Sequence, residues 1–210
     1  MYKYIVIEWI HGAGKTTIAK ALAKRLRQNW ENWKYYHFPD EDSKLGQVIR
    51  KSLADDELFD KWQVVGLLFA AFSNRFHIKT ANDETVYVTD RDSVTTGFVF
   101  QNDMKWSTRL ENYKYGIESL KNKWIVIYLK VDANKVVNRI EKRRKENAKK
   151  GWVWADKSKD KFLKKRAELA KAYDKNMWPS CQKAWIDYKE IENDASIDET
   201  VDKIINIIQN

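Results

Sequence analysis

Apolar residues follow two rhythms along this chain: short unbroken runs, and stripes at helical spacing. The first run is Tyr4-Ile5-Val6-Ile7, which predicts a strand over about residues 2–8. Ile18, Leu22 and Leu26 then fall on one stripe, with Ala19, Ala21 and Ala23 packed around it, which predicts a helix from about 15 to 29. A second strand is expected from Tyr35 to Phe38, ending at Pro39. Residues 40–46 are acidic and turn-like, and helical spacing resumes through Leu45, Ile49 and Leu53. A long helix of buried character is predicted from about 61 to 80, and Asn82-Asp83 breaks it. Val86-Tyr87-Val88 forms a third strand that stops at Asp90-Arg91. Helices are expected around 95–103 and 108–120, before the most clearly apolar strand, Trp124 to Val131. Helices over 134–150 and 159–175 flank Gly151-Trp152-Val153-Trp154, and a last strand near 185–191 precedes a helix over 197–208.

Strands alternating with helices predict an α/β fold around a five-stranded parallel sheet. Right-handed crossovers put the loops after Ile7, Phe38, Val88 and Val131 along one sheet edge, where ligands bind in such folds. No repeat, low-complexity tract or linker divides residues 1–210, so one domain is expected.

Composition narrows the class. Hydrophobic residues make up 43%, enough for a full core. The longest apolar stretch, Val64 to Phe72, is too short to span a membrane, and the start runs into a strand without a signal-peptide pattern. A single cysteine, Cys181, excludes an internal disulfide framework and a cysteine-rich metal site. A soluble, cytoplasmic protein is expected. Net charge is +9, which suits nucleic acid, anionic lipid or a polyanionic small molecule. The charge is densest from Arg139 to Lys171, mostly as a solvated Lys-rich helical surface. The ten tryptophans are scattered and form no stacking platform for a single strand, so no nucleic-acid partner is expected.

Chemistry enters between the first strand and the first helix. His11-Gly12-Ala13-Gly14-Lys15-Thr16-Thr17 occupies a strand–turn–helix junction and reads as a phosphate-binding loop. Backbone N–H groups and the helix N-terminus would cradle ATP phosphates. Lys15 reaches the outer phosphates, and the Thr16 hydroxyl can hold Mg²⁺. The usual leading glycine is absent, and Trp9 stands in its place. If that position required φ > 0, the tryptophan would cost about 1–3 kcal/mol; otherwise its backbone is ordinary and the indole covers something. On the sequence alone, Trp9→Gly is expected to change a KM more than the fold.

Asp90 ends the third strand, placed like the second carboxylate of a P-loop enzyme, which holds Mg²⁺ through water. Arg91 beside it suits bidentate phosphate binding, or else the two form a surface ion pair. Arg139 and Arg143 share a helix face, and the polar segment that follows could close Arg143 or Arg144 over a transferring phosphoryl group. On the long helix, one of Phe69 and Phe72 packs in the core while the other could stack on a base, with Arg75 donating to it. His11, His37 and His77 show no metal-ligand spacing.

These pieces resemble the thymidylate kinase family of P-loop nucleoside monophosphate kinases over nearly the whole chain. Ile5-Val6-Ile7-Glu8 with Gly12-Ala13-Gly14-Lys15-Thr16-Thr17 is similar to the family's E-G-x-D-G-x-G-K-[ST]-T, and Phe38-Pro39 to its F-P-E segment. Leu67-Leu68-Phe69 and Asn74-Arg75 resemble the thymine-binding helix, and Asp90-Arg91 the start of D-R-Y. Thr96-Gly97-x-x-Phe100 is similar to the following S-G-x-x-F, and the region 139–158 to the arginine-bearing lid, with the lid itself at about 142–158. The resemblance implies a three-layer α/β/α P-loop NTPase-type fold with a helical lid. It implies ATP and Mg²⁺, transfer of the γ-phosphoryl to a deoxynucleoside monophosphate (dTMP, with dUMP as a further acceptor), and a homodimer. Its acceptor side would comprise Phe38, Phe69, Phe72, Arg75, Arg91, Thr96, Gly97 and Phe100, and its catalytic set Lys15, Arg91 and Arg143.

Four positions depart from the family pattern: Trp9, His11, Glu41 and Asp92, the last in place of tyrosine. Glu41 falls where many members carry an acceptor-phosphate arginine, and a carboxylate there would repel a monophosphate by about 1 kcal/mol. Two other readings therefore stand beside the first. One is a deoxynucleoside kinase of the same fold, with Asp40, Glu41 or Asp42 as base. The other is a P-loop protein that binds nucleotide with little turnover, a reading supported mainly by Trp9.

Overall fold

The computed structural model describes residues 2–10, 12–29, 32–38, 42–54, 62–100, 105–132, 135–136, 138–142, 146 and 159–209. Five strands form one sheet: β1 (Tyr4–Glu8), β2 (Trp33–His37), β3 (Val86–Asp90), β4 (Trp124–Lys130) and β5 (Asp187–Glu192). Their order is β2-β3-β1-β4-β5, and every neighbouring pair is parallel. The expected α/β fold with a five-stranded parallel sheet is what forms. The helices are α1 (Lys15–Asn29), α2 (Lys44–Ala54), α3 (Trp62–Asn82), α4 (Ser93–Phe100), α5 (Trp106–Ser119), α6 (Lys159–Lys183) and α7 (Ile197–Gln209).

Alternation along the strands sorts the core into two layers. Tyr4, Val6 and Glu8 share one face of β1, against α3, α4 and α6; Tyr4 meets the rings of Phe76 and His77, and Glu8 bonds Thr95 and Tyr173. The other face is covered by α1 and α7, which pack together, through the buried Ile18, Leu22 and Leu26 of α1 and Val201, Ile204 and Ile208 of α7. Both faces of β1, β3 and β4 are covered, which is why these strands read as unbroken apolar runs.

Several boundaries differ from the sequence reading. α6 does not stop near 175 but runs to Lys183, through Pro179. The stripe Tyr173, Met177 and Cys181, all fully buried, continues across the proline, and its packing outweighs the hydrogen bond that proline removes. Trp185, expected in the last strand, instead ends α6 in the left-handed region at φ 52°. Ile186 N donates to Cys181 O and Trp185 N to Gln182 O, a Schellman ending that usually takes glycine. The helix expected over 134–150 is seen at 135–136, 138–142 and 146. The rest of it, and most of the lid expected at 142–158, lie outside the described residues.

Candidate active site

The carboxyl ends of β1, β3 and β2 lie side by side, with Ile7 in register with Asp90 and Asp90 with His37. The chain leaves β1 through residues 9–14 and turns into α1. Gly12 and Gly14 both adopt left-handed backbone, at φ 94° and 95°. A Cβ on Gly12 would sit 2.8 Å from Ile140, so this glycine also admits the segment after β4 against the loop. The Ala13 carbonyl is turned away from the cradle, accepting from Asn193 Nδ2 at 2.8 Å and from an Arg139 guanidinium nitrogen at 3.4 Å. Asn193, in the loop after β5, is held in turn by the Thr200 hydroxyl. Lys15 Nζ donates to Ile10 O at 2.8 Å, which keeps the ammonium over the loop.

Trp9 is the departure the geometry explains most directly. It is absent from the residues with positive φ, and its side chain is 3% exposed. The indole packs edge-on against Tyr128 and Tyr173, with ring centroids 4.6 and 5.8 Å away. It is turned into the core between β4 and α6, not into the cradle. Its burial moves the expected consequence of Trp9→Gly from a KM to stability.

Across the cradle stands Asp90, almost completely buried. Oδ2 accepts from the Thr16 hydroxyl, while Oδ1 accepts from Tyr35 OH at 2.9 Å and faces His37 Nδ1 at 2.5 Å. Burial opposes its charge, but the hydrogen bonds from His37, Thr16 and Tyr35 prevail and hold the carboxyl below its usual range. An ionised carboxylate touching a hydroxyl is a hard oxygen pair of the kind Mg²⁺ takes beside substrate phosphates. Thr16 and Asp90 therefore fit the ion that the loop implies. Among the described residues, no group of three His, Cys, Asp or Glu side chains forms a separate metal cluster.

Arg91 occupies the left-handed region at φ 80°, a strained conformation for a residue with a Cβ. Its guanidinium donates to Tyr173 OH at 2.9 Å, and Tyr173 OH in turn faces Glu8 Oε2 at 3.4 Å. Glu8 also accepts from the Thr95 hydroxyl at 2.7 Å and from the backbone of Trp9 and Asp92. Burial pushes the Glu8 carboxyl up, against the charges of Arg91 and Lys15. For Arg91, burial is outweighed by Tyr173 and Glu8, which keep the guanidinium charged.

Asp92 turns inward. Oδ1 accepts from Val94 N and Thr95 N, capping α4, and Oδ2 accepts from Tyr4 OH and His77 Nε2, each at 2.9 Å. Ser73 Oγ meets the other ring nitrogen of His77 at 3.1 Å. Of the expected acceptor residues, Phe38 is buried at the end of β2 and Arg75 is exposed on α3. Gly97 lets α4 approach α5, since a Cβ there would lie 2.6 Å from Tyr113 OH. Phe69 and Phe72 lie on α3, and Thr96 and Phe100 on α4; their side chains are outside what is described. His11, Asp40, Glu41, Arg143 and Arg144 are outside the described residues altogether.

A strand–loop–helix cradle with Lys15 and Thr16, facing Asp90-Arg91 on the adjacent strand, is the geometry of a P-loop kinase. Residues 7–183 match the family model for thymidylate kinase. The chain belongs to the thymidylate kinase family. A probable thymidylate kinase of Methanobrevibacter smithii is 34% identical over 141 residues, covering 66% of this chain and 69% of that protein. One from Methanococcus maripaludis is 32% identical over 148 residues, 70% and 69% of the two chains. A thymidylate kinase of Plasmodium falciparum is 33% identical over 69 residues, 33% and 32%. Against the family pattern, two of the four departures now have structural reasons, Trp9 in the core and Asp92 as a buried cap. Sequence reasoning missed Tyr35, Tyr173, Asn193 and Thr95. Each is a polar residue whose partner lies far along the chain. Asn193 alone left a signal, at the carboxyl end of a strand on the ligand edge.

Proposed function

We propose that this chain transfers the γ-phosphoryl group of ATP to dTMP, giving dTDP and ADP. The observation that carries the reading is the pairing of Lys15-Thr16 with Asp90-Arg91 across adjacent strand ends, in a member of this family. ATP phosphates lie on the backbone N–H groups of residues 11–17, and Lys15 follows charge into the transition state. Thr16 and Asp90 would hold Mg²⁺, which would supply charge neutralisation at the donor phosphates. Arg91, pre-set by Tyr173 and Glu8, meets the acceptor phosphate, and Arg143 with Arg144 closes from the lid. Phe38, Phe69, Phe72, Arg75, Thr96, Gly97 and Phe100 line the acceptor side. An acceptor phosphate is already ionised, so positioning and electrostatics supply the rate without a general base. Trp9, the support for a non-catalytic reading, leaves the cradle clear.

The same reading puts the chain in the cytoplasm as a homodimer. Val48 on α2, Ile78 on α3 and Tyr115 on α5 expose large apolar side chains for a second copy, and sedimentation velocity tests it. Among the described residues, no helix is long and apolar enough to cross a membrane. The deciding assay follows ATP consumption with dTMP, dUMP, other monophosphates and thymidine. Turnover with dTMP but not thymidine is expected, and the reverse refutes the reading. Lys15→Ala is expected to lower kcat/KM at least about 100-fold.

A further inference from the structure

His37 has no role in the transfer scheme, yet it makes a 2.5 Å contact to the metal-side carboxylate. The β2–β3 register sets it directly beside Asp90. Tyr35, two residues back and so on the same strand face, donates to the same oxygen, Oδ1. A carboxylate oxygen accepts, so the imidazole Nδ1 and the Tyr35 hydroxyl converge on Oδ1 as a pair of ring-borne polar groups. The imidazole remains 34% exposed, so the contact is not a by-product of core packing.

We propose that His37, with Tyr35, is a positioning residue for Asp90. The second torsion of an aspartate has broad, two-fold wells and does not fix which oxygen faces outward. Two partners on Oδ1 remove that freedom. Oδ2 is then kept on the Thr16 side, where Mg²⁺ and its water belong, even when the Thr16 hydroxyl turns to the ion. Partners of this kind orient metal-side carboxylates in many sites. The inference rests on the assignment of Thr16 and Asp90 to Mg²⁺.

The test uses the full chain, a non-hydrolysable ATP analogue and Mn²⁺ in place of Mg²⁺, with free Mn²⁺ read by electron paramagnetic resonance. His37→Ala is expected to weaken nucleotide-dependent Mn²⁺ binding about tenfold, the low end for loss of such a partner. His37→Asn places an amide N–H where Nδ1 stands and is expected to restore most of that loss. In turnover, His37→Ala should need more Mg²⁺ but regain kcat at saturation. Mn²⁺ binding by His37→Ala that is unchanged or tighter overturns the inference, as does an equal loss in His37→Ala and His37→Asn. Asp90→Asn separates the two layers. If it too leaves Mn²⁺ binding unchanged, the metal assignment itself fails; if it weakens binding while His37→Ala does not, only the role of His37 fails.

Discussion

At Gly12, backbone conformation and packing forbid a side chain for separate reasons. The left-handed φ disfavours any Cβ, and the space it would fill is held by Ile140 at 2.8 Å. Gly12→Ala is therefore expected to push the loop and the segment after β4 apart, raising the KM for ATP at least about tenfold, as one lost charge-assisted contact would. Steady-state kinetics with each substrate varied in turn checks this, with the acceptor KM expected to hold. Trp9→Gly should behave in the opposite way. It empties the space against Tyr128 and Tyr173 and is expected to cost about 3–5 kcal/mol in urea unfolding. The contrast shows what one residue reveals in sequence. Glycines in a loop before Lys-Thr announce their conformation and chemistry together. A tryptophan before them announces only its size, and the side of the backbone it takes depends on β4 and α6, more than a hundred residues away.

Among the elements, α4 and the loop before it show how a polar departure becomes structure. Asp92 caps α4 with one oxygen and joins β1 and α3 through Tyr4 and His77 with the other. Asp92→Ala is expected to destabilise the fold by about 3–5 kcal/mol, because it leaves His77 and Tyr4 buried without their acceptor. His77→Phe together with Asp92→Ala should cost less than the sum of the two single changes, and a double-mutant cycle in urea measures that coupling. Arg91 sits next to this anchor, so Asp92→Ala should also raise the acceptor KM more than the ATP KM. Element types were legible wherever one period dominated: every strand predicted by an apolar run is present, within a few residues. Element ends were less legible. The helix expected to end near 175 runs on through Pro179, carried by the buried stripe of Tyr173, Met177 and Cys181. Trp185 looks like strand because aromatic residues favour strands, whereas its left-handed backbone is fixed by the helix ending before it. The site followed the same division. The loop, Asp90 and Arg91 lie at strand ends and could be placed from topology, but Tyr35 joins them through the β2–β3 register, Tyr173 through the packing of α6, and Asn193 through the loop after β5.

At the scale of the whole molecule, charge is the property that bears on substrate encounter. The 210 residues carry a net charge of +9, and ATP and a nucleoside monophosphate are both polyanions. Two mechanisms for a charge effect make different demands. If the basic surface acts at long range, it raises the encounter rate and is screened within about 8 Å at physiological ionic strength. If it acts through buried contacts such as Arg91 with Tyr173 and Glu8, salt reaches it poorly. Among the described residues, Lys15, Asp90 and Arg91 are each held by hydrogen bonds within the site. Raising KCl from low to several hundred millimolar should therefore lower kcat/KM several-fold for both nucleotides and leave kcat nearly unchanged, since steering acts on association and not on the bound complex. Initial rates over a salt series, with each nucleotide varied, measure the two parameters separately. A fall in kcat at constant KM would instead assign the surface charge to the transition state, and the lid arginines would be the first residues to replace.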